Sequence, residues 1–433
     1  MGTDSQNWHL DLSYDEWVAL PVSGQRPAAR YKHAATVFDE KLYITGGSRN
    51  GRYLSDFQVF DLKSLTWSTI KLNTEIDDTK SKGAIHLKIK WKTRLLLLAG
   101  LSKNTADRVT VWFIDLESHD CGVAETFGNV PVARSGQSVT LFGSKLIMFG
   151  GEDRNRRLLN DVNVLDLETM TWSAVETTQT PPTPRFDHVA TLHAERYLFV
   201  FGGCSHSVFF NDLHVLDLET MEWSQPQVQG DLVTPRAGHA GVAVEGNWFI
   251  VGGGDNKSGA LETLVINLSK LVVSVVTSVK GRDPLASEGI SISSASLGGE
   301  NFLVTFGGYN GKYYNEVFVM RVKPRDTLHP KILQSPAAAA AAASVTAAYA
   351  LAKAESLDSP KKKIQILSNP DFFSPEVAEA QIGELQKMLE SLPSLEEKVQ
   401  ALRAEKSAFE RDMELAATVQ SQRSGGIWKW VAG

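Results

Sequence analysis

The chain has 433 residues, enough for a large core and more than one domain, and a composition ordinary for a globular protein. Its formal net charge of −6 argues against a nucleic-acid binder with a generally basic surface. Two cysteines, Cys121 and Cys204, are too few for a disulfide framework, so we expect a reducing, cytoplasmic location. The N-terminus lacks the pattern of a signal peptide, and no stretch is long and apolar enough to predict a membrane span.

Six apolar segments of the chain end in glycine at intervals of 50 to 55 residues. Five of them end in a Gly-Gly pair: 41–47, 145–151, 193–203, 247–253 and 301–308. The sixth is a degraded copy that ends in Ala99-Gly100. A strand repeat of this period is typical of the blades of a β-propeller. Glycine at the strand end permits close backbone approach near the axis and the positive φ of a sharp exit.

A second pattern lies downstream of the glycines. In it, a small acid or amide is followed six residues later by a large side chain. The clear copies are Asp61 with Trp67, Asp166 with Trp172, and Asp217 with Trp223, and the weaker ones are Asp115 with Cys121 and Asn267 with Val273. The stretch between glycine and acid alternates apolar and polar residues, as in a half-buried strand. Each repeat therefore predicts four strands, with Trp filling the gap between adjacent blades.

The sixth repeat has no Trp after its third strand, and the missing piece lies at the other end of the chain. Asp11 and Trp17 show the same six-residue spacing. We therefore predict an all-β fold, a six-bladed propeller over residues 8–326, in which the N-terminal strand completes the last blade and closes the ring.

These glycine, Trp and Pro-Arg signatures resemble those of kelch repeats across the first three quarters of the chain. Segments such as "TPRAGHAG", "VGGGDNKSGA" and "FGGYNGKY" are similar to the propeller region of the plant kelch-containing acyl-CoA-binding proteins. That family carries a four-helix acyl-CoA-binding domain before its propeller. This chain begins almost at the closing strand, so the resemblance implies a lipid-related role without direct acyl-CoA binding.

The composition changes after residue 326, where we predict a C-terminal α-helical segment. The expected order is a linker with an Ala-rich helix (327–373), a coiled-coil helix interrupted at Pro393 (374–421) and a flexible tail with Trp428 and Trp430 (422–433). Residues 375–420 would pair with a second copy or with another protein, and the alternative is an amphipathic helix docked on the propeller. The lysines of 359–364 leave a nuclear location open.

Enzyme activity is not expected, and no cofactor or metal is predicted. Copper oxidases with kelch propellers need clustered Tyr and His ligands with a cysteine near the metal, and neither Cys121 nor Cys204 obviously joins a His cluster. His33, His188 and His239 recur once per blade as "RxxH", which favours a structural role over convergence on one metal.

Binding of a protein partner is the function that the loops favour. The loops after the glycines (48–55, 101–108, 152–160, 204–211, 254–260 and 309–314) and the Pro-Arg loops are expected on one side of the ring, which we call the loop face. The loops after the glycines sum to a formal charge of +5 and contain aromatic residues. We predict that the loop face binds an acidic or phosphorylated partner. The predicted contact residues are Arg49, Arg52, Tyr53, Arg154, Arg156, Arg157, Phe209, Phe210, Lys312 and Tyr313.

The alternative is that the arginines of these loops pair with local acids such as Glu152 and Asp153 and only keep the loops soluble. A second set of arginines follows the Pro-Arg turns, and for it we favour hydrogen bonds between blades over contacts with a partner. Its members are Arg30, Arg134, Arg185 and Arg236.

Overall fold

The computed structural model describes residues 8–73, 85–99, 107–255, 257–279 and 283–324, with only the strand positions for 85–90 and 99. Strands in this part of the chain form six four-stranded antiparallel blades, and the innermost strands of five of the six neighbouring pairs of blades contact one another around an axis. The only helix in these residues is a 3-10 turn at Trp8–Asp11, and none is long and apolar enough to cross a membrane. The six-bladed all-β propeller is therefore confirmed.

Blades 1 to 3 each run from an innermost to an outermost strand in chain order. Blade 1 consists of Tyr31–Phe38, Lys41–Arg49, Phe57–Asp61 and Thr66–Thr69. Blade 2 consists of Ile85–Trp91, Arg94–Ala99, Val111–Asp115 and Cys121–Ala124. Blade 3 consists of Ser138–Phe142, Lys145–Asp153, Leu158–Asp166 and Thr171–Val175. The second strands carry the glycine signature, as the repeat predicts.

Blades 4 to 6 follow the same order, except that the outermost strand of blade 6 comes from the N-terminus. Blade 4 consists of Val189–His193, Tyr197–Phe201, Leu213–Asp217 and Glu222–Ser224. Blade 5 consists of Ala237–Val244, Asn247–Gly254, Glu262–Asn267 and Val272–Ser278. Blade 6 consists of Ser291–Leu297, Glu300–Phe306, Val317–Arg321 and Trp17–Ala19. Seven two-residue strands decorate the blades: Ser23–Gly24, Arg52–Tyr53, Phe127–Gly128, Arg134–Ser135, Cys204–Ser205, Val208–Phe209 and Gln229–Gly230.

The ring closes through the N-terminal strand. Trp17–Ala19 pairs antiparallel with Val317–Arg321, and Trp17 lies opposite Met320. The indole Nε1 of Trp17 also donates to Thr263 Oγ1 of blade 5 at 2.9 Å. This pairing confirms the predicted role of the strand, and it removes the unpaired edge that a ring closed by packing alone would leave.

The hydrophobic core is divided among the interfaces between neighbouring blades. One cluster joins blades 1 and 6 and includes Trp67 and Phe306, and another joins blades 3 and 4 and includes Phe149 and Trp223. The ring centroids are 5.3 Å apart in the first pair and 5.2 Å apart in the second. Each Trp therefore fills the gap against the phenylalanine before the glycine pair of the preceding blade, as predicted.

The glycine pairs end their strands where the next blade comes close. Gly202 has a φ of 64°, and a Cβ there would lie 2.8 Å from Cε1 of His239 and 3.0 Å from the carbonyl oxygen of Arg236. Both atoms belong to blade 5, whereas Gly202 belongs to blade 4. The backbone conformation and the close approach both exclude a larger residue.

The chain that enters a blade first runs along the outer edge of that same blade. Ser23–Gly24, Phe127–Gly128 and Gln229–Gly230 pair in parallel with the outermost strands of blades 1, 3 and 5. The glycine in each segment stands six residues before the Pro-Arg arginine, and in blade 4 Gln179 holds this place with a φ of 63°. These edge strands were not predicted from the sequence, although the glycine-to-arginine spacing indicates them.

The chain divides into two units between Pro324 and Arg325. The predicted linker, coiled coil and tail of residues 327–433 lie outside the described residues.

Candidate partner-binding face

The Pro-Arg arginines are buried and hold the loop face together. Arg185 donates from Nε to the carbonyl of Thr183 and from Nη1 to that of Gly202, both at 3.0 Å. Its guanidinium also binds the Asp212 carboxylate in a bidentate manner at 2.6 and 2.9 Å. Burial alone would raise the pKa of Asp212, but the hydrogen bonds and charge of Arg185 hold it well below its usual range. The equivalent pairs are Arg30 with Asp56, Arg134 with Asp161, and Arg236 with Glu262.

These arginine side chains bond within their own blade, so the expectation of side-chain bonds between blades is wrong. For Arg30, Arg134 and Arg185 the acceptors are a glycine carbonyl and an acid of the same repeat. Arg236 instead donates to Thr234 and Glu262. The main chain makes the bond between blades instead, because the amide of Gly203 donates to the carbonyl of Arg236 at 2.9 Å. The guanidinium fixes the loop that carries this carbonyl, and so acts on the neighbouring blade through the backbone.

One residue from each of five blades lies at the axis, and in four of these blades it is the second residue after the Pro-Arg arginine. Gly136, Asp187, Gly238, Gly289 and Lys32 all have a positive φ. The amides of the last four each donate to the carbonyl of the residue named before them, at 2.8 to 2.9 Å, from Asp187 to Gly136 and finally from Lys32 to Gly289. The innermost strands surround a cavity of about 390 Å³ below them. The axis of the loop face is therefore a narrow ring of peptide groups.

Three tyrosines cluster beside the axis where blades 1 and 6 meet. The ring centroids of Tyr31, Tyr309 and Tyr313 lie 4.7 to 5.8 Å apart. Tyr53 follows on the blade 1 side, because the strand register places Tyr31 opposite Ser48 and Ser48 opposite Tyr53. The structure thus brings the predicted contacts Tyr53 and Tyr313 into one tyrosine shelf, formed by Tyr31, Tyr53, Tyr309 and Tyr313.

Arg49 and Arg52 project from the tip of the blade 1 hairpin next to this shelf. They lie opposite each other in the register, on either side of Asn50 and Gly51. Both are exposed. Among the residues that the structure describes, no carboxylate forms an ion pair with either one. Their charges are available to a partner.

The three arginines of the blade 3 loop are in a different situation. Arg154 pairs with Asp107 at 3.2 Å, Arg156 with Glu152 at 3.4 Å, and Arg157 with Asp153 at 3.2 Å. These distances match the alternative in which loop arginines pair with nearby acids. Within the described ranges, the predicted contact set therefore splits into paired arginines on blade 3 and unpaired ones on blade 1.

The remaining predicted contacts belong to the blade 4 and blade 6 loops. The ring of Phe210 lies 4.2 Å from the guanidinium carbon of the buried Arg185, so Phe210 covers a structural residue. Phe209 is half-buried in the small hairpin of Cys204–Ser205 and Val208–Phe209. Lys312 is exposed, with its Nζ 5.5 Å from the ring of Tyr314. Of these three, Lys312 lies beside the tyrosine shelf.

Tyr31 is a member of this surface that was not predicted from the sequence. It follows the Pro-Arg arginine directly and precedes the axial Lys32, and this position is the signal that could have placed it beside the axis.

The architecture matches a known family of repeats. Residues 2–93 and 85–296 match the model described as the KLHDC2/KLHL20/DRC7 Kelch-repeats domain. The chain belongs to the kelch-repeat family.

Plant relatives cover almost all of this kelch protein. It is 40% identical over 494 residues to Acyl-CoA-binding domain-containing protein 4 of Arabidopsis thaliana, a match that spans 97% of this chain and 74% of the relative. It is 41% identical over 477 residues to protein 5 of the same name and plant, with 97% and 73% covered. It is 41% identical over 485 residues to Acyl-CoA-binding domain-containing protein 6 of Oryza sativa subsp. japonica, with 97% and 74% covered.

The repeated histidines of this kelch protein pack between blades. The imidazole of His188 lies 5.2 Å from the ring of Phe149 in the preceding blade and bonds Ser138 Oγ at 2.9 Å. Burial and the charge of Arg185 lower the pKa of His188 to about 3, and burial and Arg236 lower that of His239 to about 3. Both rings are therefore neutral at physiological pH.

The structure contains no metal-binding cluster of side chains in the part of the chain that it describes. No group of three or more His, Cys, Asp or Glu side chains there could hold a metal ion. Cys121 and Cys204 are buried free thiols, and burial, reinforced by the charge of Asp187, raises the pKa of Cys204 to about 12. Kelch propellers are generally non-enzymatic interaction domains.

Proposed function

We propose that this kelch protein is a non-catalytic interaction scaffold whose loop face binds an acidic or phosphorylated segment of a protein partner. Arg49 and Arg52 would supply the charge contacts, and the tyrosine shelf would supply apolar contact area beside them. The observation that carries the proposal is the split between the arginines, since those of blade 1 lack, among the described residues, the carboxylate partners that those of blade 3 have.

The physical basis is electrostatic attraction followed by desolvation of aromatic surface. Unpaired guanidinium groups on a chain of net charge −6 create a local positive region, which speeds the encounter with an acidic segment. Tyrosine gives a large contact area with little loss of side-chain freedom, and it is enriched among residues that dominate binding energy. Residues 375–420 would form the second contact of the scaffold, either with a second copy or with another helix.

The test is a pull-down from an extract of the native cells with quantification of each retained protein. Three forms of the full chain are compared: wild type, Arg49→Ser with Arg52→Ser, and Arg156→Ser with Arg157→Ser as the matched control. The four arginines are exposed, so all three forms should fold, and melting curves check this. We expect the blade 1 variant to lose a specific set of proteins that wild type and the blade 3 variant keep. Retention of the same proteins by all three forms would contradict the proposal.

The names of the plant relatives favour a second candidate, a lipid-related role. It can be tested by titrating the full chain with a long-chain acyl-CoA below its micellar concentration. Saturable binding that is equal in wild type and in the blade 1 variant would support this candidate as a separate site. The first proposal predicts no saturable binding that survives in the blade 1 variant.

A further inference from the structure

The hairpin at the tip of blade 1 sets two like charges against each other. Asn50 and Gly51 form its two-residue turn with φ values of 50° and 71°, and Asn-Gly is the preferred pair for such a turn. The turn fixes the register, so Arg49 and Arg52 are direct cross-strand partners. Directly opposed residues extend their side chains to the same side of a hairpin. The two guanidinium groups therefore leave the hairpin together.

Like charges in directly opposed positions destabilise a strand pair. The arginines of the blade 3 loop are neutralised by carboxylates, as Arg157 is by Asp153 at 3.2 Å. No described carboxylate is in ion-pair contact with Arg49 or Arg52. An anionic group on a ligand would relieve their repulsion.

The charge and spacing of Arg49 and Arg52 favour a phosphoryl group over a carboxylate as their ligand. A carboxylate has one charge and two oxygens, so a single guanidinium satisfies it in a bidentate contact. A phosphoryl group carries nearly two charges and three acceptor oxygens, so it can accept bidentate bonds from two guanidinium groups at once. Two arginines on adjacent strands, about 5.5 Å apart at Cα, match the second anion better than the first.

We infer that Arg49 and Arg52 form a phosphoryl-binding fork that reads a phosphorylated side chain of the partner. This inference rests on the proposed function and narrows its ligand from acidic in general to phosphorylated. The Ser48 and Tyr53 pair of the tyrosine shelf comes one residue further from the turn, so its side chains extend to the other side of the hairpin. A peptide whose phosphoryl group lies between the arginines would reach the shelf by crossing the tip of the hairpin.

The test uses degenerate peptide pools, because the fork itself does not specify the sequence around the phosphorylated residue. Each pool has mixed flanking positions around a fixed central residue: phosphoserine, phosphotyrosine, serine or glutamate. The full chain is immobilised as wild type, as Arg49→Ala with Arg52→Ala, and as Arg156→Ala with Arg157→Ala. Melting curves show that all three are folded, and retained peptide is quantified with and without phenyl phosphate. Vesicles containing phosphoinositides are bound in parallel.

We expect wild type to retain a phosphorylated pool at least about tenfold more than the serine and glutamate pools. The Arg49 and Arg52 variant should retain only background, the Arg156 and Arg157 variant should match wild type, and phenyl phosphate should compete. Equal retention of the glutamate pool would overturn the inference and leave the proposed function intact.

Other results would contradict the phosphoryl-binding fork, and one of them would also contradict the proposed function. If no pool is retained but the extract pull-down still depends on Arg49 and Arg52, the fork is wrong and the proposed binding face stands. If neither the pools nor the pull-down depends on these arginines, both are wrong. Binding of phosphoinositide vesicles through the same arginines, without retention of any peptide pool, would replace the partner peptide by a lipid headgroup.

Discussion

Lys32 Nζ lies 2.7 Å from Asp187 Oδ2, and this ion pair joins blade 1 to blade 4 across the axis of the ring. Burial lowers the pKa of Lys32, but the Asp187 carboxylate more than offsets this, so the pKa stays above its usual value. Both residues have a positive φ, 52° and 55°, at a position where blades 3, 5 and 6 have glycine. The strained backbone at these two sites is held by the hydrogen bonds between neighbouring peptide groups at the axis.

The axial pair predicts that a single substitution destabilises the protein more than a double substitution does. Asp187→Asn leaves the Lys32 ammonium without its counter-charge, and we expect the free energy of unfolding to fall by about 1–3 kcal/mol. Lys32→Gly with Asp187→Gly removes both charges and the backbone strain of about 1 kcal/mol per residue, so it should lie within about 1 kcal/mol of wild type. Urea unfolding measures both. A double variant less stable than Asp187→Asn would contradict this interpretation of the pair.

The buried histidines predict a loss of stability in mild acid. His188 and His239 have a folded-state pKa of about 3, whereas in the unfolded chain it is about 6.5. The stabilisation is therefore complete above about pH 6.5 and is lost as the pH falls towards about 3. Together the two rings should lower the free energy of unfolding by about 2.7 kcal/mol per pH unit in that window.

The measurement is the free energy of unfolding in urea at about pH 6 and about pH 5. His239→Gln should reduce the slope to about half that of wild type, whatever it does to stability at neutral pH. An unchanged slope would show that His239 is charged in the folded protein or does not titrate.

Alanine substitutions at two glycines with similar backbone angles distinguish the cost of backbone strain from the cost of a close contact between blades. Gly143 has a φ of 55° and no atom within 4 Å of an added Cβ, whereas Gly202 has a φ of 64° and contacts blade 5. Gly143→Ala should cost about 1 kcal/mol, from the left-handed conformation alone. Gly202→Ala should cost about 3 kcal/mol, because a displaced blade contact is added. Equal costs in thermal or urea unfolding would mean that the blades are not in close contact there.

The N-terminal strand that closes the ring predicts a large loss of stability when its tryptophan is removed. Trp17→Ala removes the contact with blade 5 and the hydrogen bond to Thr263 Oγ1. We expect the free energy of unfolding to fall by about 3 kcal/mol. The control is Leu232→Ala, whose side chain is 97% exposed and should change stability by less than about 0.5 kcal/mol. A Trp17→Ala variant as stable as the control would argue against ring closure by this strand.

The repeated elements of the fold could be predicted from sequence because each copy confirms the others. The six-residue spacing of Asp61 and Trp67 made the same spacing at Asp11 and Trp17 meaningful. The axial pair of Lys32 and Asp187 could not be predicted in this way, since the two residues are 155 positions apart and differ from the glycine of the other blades.

The pairing of the loop arginines could not be predicted from the sequence. Arg49 and Arg154 are equivalent as loop charges in the sequence. Only the folded structure shows that Arg154 pairs with Asp107 of the neighbouring blade at 3.2 Å and that Arg49 lies opposite Arg52. A formal charge sum cannot distinguish a neutralised arginine from an available one, because pairing depends on which loops the ring makes adjacent.

The central claim, that a partner contacts the loop face at blade 1, is tested most directly by photo-crosslinking. p-Benzoylphenylalanine replaces Tyr53 on the loop face or Glu195, an exposed residue in the turn at the opposite end of blade 4. Illumination in native extract should give discrete adducts from position 53, none from position 195, and none from position 53 once Arg49 and Arg52 are changed to Ser. Adducts that form from position 195 alone, or that persist at position 53 without the two arginines, would contradict the claim.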